Sequence, residues 1–460
     1  MKWNNLSLHK IKWICSFIVV LLPFFCSISN IFQKYLAVTL WAIMMWMFEL
    51  LPEEIVAIML PGLYILFDIT NYATAFSAWT TSTPWITLGG LMIGGMIVKS
   101  GLVLRIAYKS LLLTKGSLKG IVWGIVLTCT IFTPLIPSIM AKVALLVPVV
   151  IGICKVLKVE AKSATASALM LVVFFALWSP KMAFMTASTD SILTAGILEQ
   201  YLGGKITWLA WAKDMFIPGI LWMLVSIPLI YILRPQHLNL NKEYLKIEYR
   251  KLGKITIDEK KTVTLITALL ILLIFSSWHK LPEGVLMLGI GCLGFFPGIG
   301  LLKSDDFSKI QFKVVFFLAG AVTIGAVASS IGITESVINF VQPYFEQMNS
   351  YELVMSIYIF SILANFLLNP LALIATLMIP IANLCSNLGY SATIGGYSMI
   401  MGFNQALFPY EIAPLMLVYG FGYLKLTHLI KVMVFRIVAG IIFMTVVTYP
   451  YWLYIGLLDK

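Results

Sequence analysis

Apolar residues run along this chain in blocks long enough to cross a bilayer, parted by short clusters of Lys and Arg. Blocks near 13–32, 35–51, 54–69, 84–109, 120–155, 163–196 and 213–233 precede a polar stretch; blocks near 262–278, 282–301, 313–340, 351–386, 391–420 and 429–456 follow it. A spanning helix needs about 20 apolar residues. Two blocks, Gly120 to Lys155 and Tyr351 to Asn387, are too long for one crossing. In the first, Pro134 and Pro137 remove backbone donors and break any helix, so a re-entrant hairpin is expected. The second is expected to turn near Asn369-Pro370. The pattern predicts an all-α integral membrane protein with about 11 transmembrane helices and two re-entrant hairpins.

Positive charge gives the expected orientation. Leu66 to Val98 holds no Lys or Arg, whereas Arg105, Lys109, Lys115, Lys119, Lys155, Lys158, Lys162, Lys303, Lys309 and Lys313 fall on the opposite side. Arg234 to Lys261 carries eight Lys or Arg against four Asp or Glu. The positive-inside rule makes that linker and the N-terminus cytosolic and the C-terminus external. The division is then an N-terminal transmembrane helix over 1–33, a first half over 34–233 with hairpin 120–155, a linker over 234–261, and a second half over 262–460 with hairpin 351–386. An odd number of crossings per half forces the halves into opposite orientations, an inverted repeat. Short echoes agree: Ser100-Gly101-Leu102 with Ile331-Gly332-Ile333, Leu145 to Pro148 with Leu377 to Pro380, and Lys205 to Leu209 with Lys425 to Leu429.

Composition narrows the class. Hydrophobic residues make up 60% and charged residues 11%, which no soluble domain shows. The net charge of +12 lies between apolar blocks, so it sets topology and does not point to nucleic acid. Cys15, Cys26, Cys129, Cys154, Cys292 and Cys385 are scattered, without metal spacing, and read as packing residues. Lys2, Lys10 and Lys12 ahead of Ile14 to Ile28 resemble a signal peptide, but Phe24-Phe25 is a poor cleavage context, and an uncleaved first helix is expected. A membrane-embedded enzyme would need a catalytic motif, and no His-Glu-x-x-His or Gly-x-Ser-x-Gly is present. The candidate chemistry is instead Lys142, a charge beside the first hairpin's turn that costs about 2.5 to 3.5 kcal/mol to insert.

Several motifs resemble the divalent anion/sodium symporter family, nearest its citrate, tartrate and 2-oxoglutarate/malate carrier branch. They are Trp46-Met-Phe-Glu-Leu-Leu-Pro52, Leu88-Gly-Gly-Leu-Met-Ile-Gly94 with Lys99-Ser-Gly-Leu102, Pro134-Leu-Ile-Pro-Ser138 through Pro148, Val418-Tyr-Gly-Phe-Gly-Tyr-Leu424, and Tyr449 to Leu457. The resemblance implies an elevator-type secondary carrier, usually a homodimer in the lipid bilayer, moving small anionic di- or tricarboxylates. It also implies Ser-Asn-Thr signatures at the hairpin tips, and here these are degraded. Counting back from Pro148 they fall on Ser138, Ile139 and Met140, and from Pro380 on Pro370, Leu371 and Ala372. Lys142 falls where the branch often has an arginine.

Losing Asn and Thr removes oxygen ligands that a hard cation wants, so coupling to sodium or protons is left open against exchange. No cofactor is implied. The expected substrate contacts are Ser138, Lys142, Thr186, Ser188, Thr189, Ser191, Asn404 and Gln405, with Asp190 and Glu411 as ion-binding or proton-coupling carboxylates. Each has a plainer role available: Lys142 snorkelling or pairing with Asp190, and Asp190 capping a helix. Glu49 and Glu54 read as structural. A paralogue without transport, acting as sensor or scaffold, and a channel are the remaining alternatives.

Overall fold

The computed structural model describes residues 2–48, 50–114, 116–202, 206–238, 240 and 242–459, and these contain helices and turns but no strand. Glu49 and Lys205 lie outside the described residues. Helices of eight or more residues are numbered in chain order. A leading α1 (Lys2–Leu21) precedes a first series: α2 (Asn30–Met47), α3 (Glu53–Leu66), α4 (Thr83–Lys99), α5 (Leu102–Leu113), α6 (Leu118–Phe132), α7 (Ile139–Val156), α8 (Ala164–Trp178), α9 (Thr189–Leu202) and α10 (Trp208–Ser226). The linker contributes α11 (Lys242–Lys251). A second series follows: α12 (Ile257–Ile274), α13 (Glu283–Leu293), α14 (Phe312–Ser330), α15 (Ile333–Val341), α16 (Ser350–Ala364), α17 (Pro370–Asn387), α18 (Ala392–Phe403), α19 (Ala413–Gly420) and α20 (Leu426–Phe443).

The two series match helix for helix in order, and several of their contacts match as well. In each, the two long blocks form a helix–turn–helix whose arms both pack on the next helix: α6 and α7 on α8, α16 and α17 on α18. Across the series the pairing is reciprocal: α3 packs on α14 and α13 on α4, while α7 packs on α19 and α17 on α9. Glycines permit the first of these approaches. A Cβ on Gly89 would sit 2.3 Å from the Met287 backbone, and one on Gly320 would sit 2.2 Å from the Ala57 carbonyl.

Turn chemistry repeats too. Gly101 and Gly332 take φ of 80° and 75° at the breaks α4–α5 and α14–α15, a conformation that L side chains resist. Ser138 caps α7 by accepting the Ala141 amide, and Asn369 caps α17 by accepting the Ala372 amide. The polar residue equivalent to Ser138 is therefore Asn369, one position before the Pro370 obtained by counting back from Pro380.

Among the described residues, six helical segments are long and apolar enough to cross a membrane, or seven if the α4–α5 pair, bent by 65°, is one span. Several expected blocks are subdivided. Block 84–109 is the bent α4–α5 pair, and blocks 163–196 and 391–420 are each interrupted, at 179–188 and 404–412. Pro180 and Pro409 lie within the interruptions, each in a short 3-10 turn. The linker is docked rather than free: Arg105 pairs with Glu259 at 2.5 Å and donates to the Leu252, Gly253 and Lys254 carbonyls. α8 is buried over Thr165–Trp178, as expected of a helix apolar on every side. It delivers the first break to the centre of the molecule.

Candidate functional site

At the end of α8, Pro180 turns the chain into a short 3-10 segment, Ser179–Ala183. Lys181 on that turn is fully buried and ion-paired with Asp190 in the first turn of α9. Its ammonium also lies 3.2 Å from the centre of the Trp178 ring, a cation–π contact strengthened by desolvation. Ser191 donates to the Lys181 carbonyl at 3.3 Å, Ser188 accepts the Ser191 amide at 3.2 Å, and the Thr189 hydroxyl lies 3.4 Å from Asp190. The partner of Asp190 is thus Lys181 and not Lys142.

Lys142 is 1% exposed and donates to the Ala187 carbonyl at 3.2 Å, which joins the hairpin arm α7 to the α8–α9 loop. Thr186 closes the same seam. Its hydroxyl donates to the Pro134 carbonyl at 3.0 Å and accepts the Trp208 indole N–H at 3.2 Å. Ser138 stands one turn earlier on α7 than Lys142. Ser138 and Ala141 face an open cavity of about 540 Å³ between α4 and the 302–311 loop, whose polar walls are Lys99, Asp306, Lys309 and Gln311. Lys142, the next residue along α7, is rotated by about 100° and points away into the protein.

The second break is built around a residue the sequence reading passed over, Arg436 on α20. Its side chain is fully buried. One guanidinium nitrogen donates to the Asn404 carbonyl at 2.7 Å and to Gln405 Oε1 at 3.0 Å. The other donates to Asn404 Oδ1 at 2.6 Å and to Ser179 Oγ at 3.1 Å. Phe175 and Trp222 flank it at 5.2 and 4.8 Å. Its signal in the sequence is an arginine deep inside the apolar block 429–456, five residues beyond Lys431 near the block's start, a position where an ionisable residue is expensive and therefore a candidate for function.

Glu411 takes a different part. It accepts the Leu407 and Phe408 amides and the Asn365 side chain, so it organises the loop as a carboxylate cap. The two breaks touch directly. The Trp178 indole donates to the Asn404 carbonyl at 2.9 Å, and the Asn404 amide donates to the Trp178 carbonyl at 3.0 Å. Asp190, Ser188, Ser191 and Thr189 therefore gather at one break with Lys181, while Asn404 and Gln405 gather at the other with Arg436. Lys142 and Thr186 seal the hairpin against the first break. Ser138 lies on the open cavity, apart from these contacts. No three His, Cys, Asp or Glu side chains converge in metal-binding fashion among the described residues.

The model of the sodium:sulfate symporter transmembrane region matches residues 4–458, nearly the whole chain. The chain belongs to this family. A relative is the chloroplastic dicarboxylate transporter 1 of Spinacia oleracea, 26% identical over 53% of this chain and 44% of the relative. A second is the L-tartrate/succinate antiporter of Escherichia coli K12, 23% identical over 88% of this chain and 90% of the relative. The chain thus spans under half the length of the plant carrier and most of the bacterial one. Among solved structures, the YdaH transporter of Alcanivorax borkumensis is similar in fold, with a TM-score of 0.56 at 14% identity over 86% of this chain and 89% of that one. Family membership, the helical fold and the apolar segments make this a multi-pass membrane protein.

Proposed function

We propose that this member of the sodium:sulfate symporter family is a carrier of small organic dianions or trianions, a di- or tricarboxylate exchanger of the cytoplasmic membrane. The observation that carries the reading is Lys142. It is a buried ammonium at a hairpin seam whose hydrogen-bond partner is a carbonyl rather than a carboxylate. A buried cation held this way keeps charge-assisted bonding capacity for an anion. With Lys181 and Arg436 it makes three buried cations, and Asp190 and Glu411 are the buried carboxylates near them. The relatives named as a dicarboxylate transporter and a tartrate/succinate antiporter support the same chemistry.

The donor set supports exchange without sodium. The hairpin tips carry Ser138 and Asn369 as caps, already committed to backbone amides, and the other signature positions are apolar, so oxygen ligands for a hard cation are few. The reciprocal packing of the two series supports an inverted repeat, and the placement of Lys and Arg supports a cytosolic N-terminus and an external C-terminus. In that orientation the cavity lined by Lys99 and Lys309 opens to the cytosol. Movement of the hairpin-bearing part as a rigid body, within a homodimer, is the corresponding transport step. The test is uptake by purified protein in liposomes preloaded with malate, citrate or sulfate. Exchange of labelled malate or citrate that needs internal anion supports the reading, and failure to move any of the three refutes it.

A further inference from the structure

Arg436 stands where two helices end face to face. α8 stops at Trp178 and α18 at Phe403, and the first residues past each end, Ser179 and Asn404, are bridged by the same guanidinium. Each helix C-terminus carries unsatisfied carbonyls equivalent to about half a negative charge. Two such ends meeting among buried side chains repel, and an interior cation is the natural remedy. In carriers with broken helices, unwound carbonyls and half-helix C-termini are also where a coupling sodium is held.

We infer that the Arg436 guanidinium is a resident counter-charge that binds the two broken helices into one unit and fills the place a monovalent cation would otherwise take. This rests on the reading of the chain as a carrier. Four observations carry the inference. The side chain is fully buried, so its charge is exerted at low dielectric. Its acceptors are oxygens of both breaks: Ser179 Oγ, Asn404 O, Asn404 Oδ1 and Gln405 Oε1. None of those acceptors is a carboxylate, so the charge is balanced by dipoles and not by an ion pair. The aromatic faces of Phe175 and Trp222 hold the plane of the group, which suits a delocalised guanidinium better than an ammonium. Arg436 is therefore a positioning residue. It leaves substrate to Lys142 and the hairpin seam, and keeps Ser179 to Asp190 in register with Asn404 to Glu411.

Removing the side chain exposes those oxygens as a vacant site for a small cation, which is the basis of the test. Arg436→Ala and Arg436→Lys are purified as full-length protein, and the melting temperature and malate exchange are measured in sodium chloride, in choline chloride, and with added millimolar guanidinium. The wild type is expected to melt and exchange identically in the two salts. Arg436→Ala is expected to lose about tenfold or more in exchange, the scale of lost charged hydrogen bonds. It should regain part of both its exchange and its melting temperature with guanidinium or sodium, and none with choline. Arg436→Lys, which keeps the charge, is expected to stay insensitive to sodium.

A merely structural arginine would give an Arg436→Ala loss that neither ion reverses, and that result overturns the inference, as does an Arg436→Ala protein with wild-type exchange. If Arg436→Ala cannot be recovered, a sodium response in Arg436→Lys overturns it. Should the wild type move no anion, the carrier reading fails while the melting arm still decides the role of Arg436.

Discussion

At the residue scale, the site is a set of buried charges whose partners differ in kind, and the consequences of removing them differ accordingly. Lys142→Ala removes an ammonium bonded to a carbonyl, so protein stability changes little while anion exchange is lost; exchange at normal affinity in this variant would contradict its role. Lys181 and Asp190 are bound to each other. Removing one partner of a buried pair leaves an uncompensated charge and costs about 3 to 5 kcal/mol. Asp190→Asn and Lys181→Met are each expected to melt well below wild type, and the double variant above either single one. Thermal melts of the three read this directly, and additive losses would show that the two charges are independent.

Lys142 was legible in the sequence because a charge beside Pro134 and Pro137 has to be accounted for. The partner of Asp190 was not, because Lys181 sits on a turn whose direction only packing decides. Arg436 was illegible as a hub because its acceptors, Ser179 and Asn404, are remote in sequence. One-dimensional patterning marks an expensive residue without saying which carbonyls surround it.

At the element scale, breaks and close approaches organise the molecule. Gly89 and Gly320 let α13 and α3 press against α4 and α14, where any side chain would collide with backbone. Gly89→Leu and Gly320→Leu are each expected to reduce the yield of folded protein sharply and to a similar degree, measured by size-exclusion after detergent extraction. A large effect at one site alone would argue against equivalence of the two interfaces.

The cavity rim supplies a pH prediction. Lys99 hydrogen-bonds to Asp306 and holds its carboxyl below the usual carboxylate range. A depressed folded-state pKa contributes stability above the unfolded value, about 4, and loses it as pH falls through the folded value. Asp306→Asn should therefore melt below wild type at neutral pH and equal to it well below pH 4, and a gap that persists in acid would refute the link. The helix–turn–helix form of blocks 120–155 and 351–386 was readable from block length and Pro placement. The bounds of the split of blocks 163–196 and 391–420 into helix, turn and helix were not, since the polar residues that mark the turns, among them Ser179, Lys181, Asn404 and Gln405, could as well sit on an unbroken buried helix.

At the scale of the whole molecule, reciprocal packing of two matched helix series places two broken helices end to end around Arg436. It also brings a hairpin against each half's post-break helix. The echoes at Gly101 and Gly332 foreshadowed that symmetry, and the shared positive φ at both gives them a physical meaning. On the proposed function, fixed side-chain cations rather than sodium equip this architecture for anion exchange. The most direct measurement is uptake of labelled malate into proteoliposomes in sodium-free choline medium, with and without unlabelled malate inside. The account predicts rapid uptake only with internal malate, unchanged when sodium replaces choline. Uptake that requires a sodium gradient and proceeds into empty liposomes would contradict it.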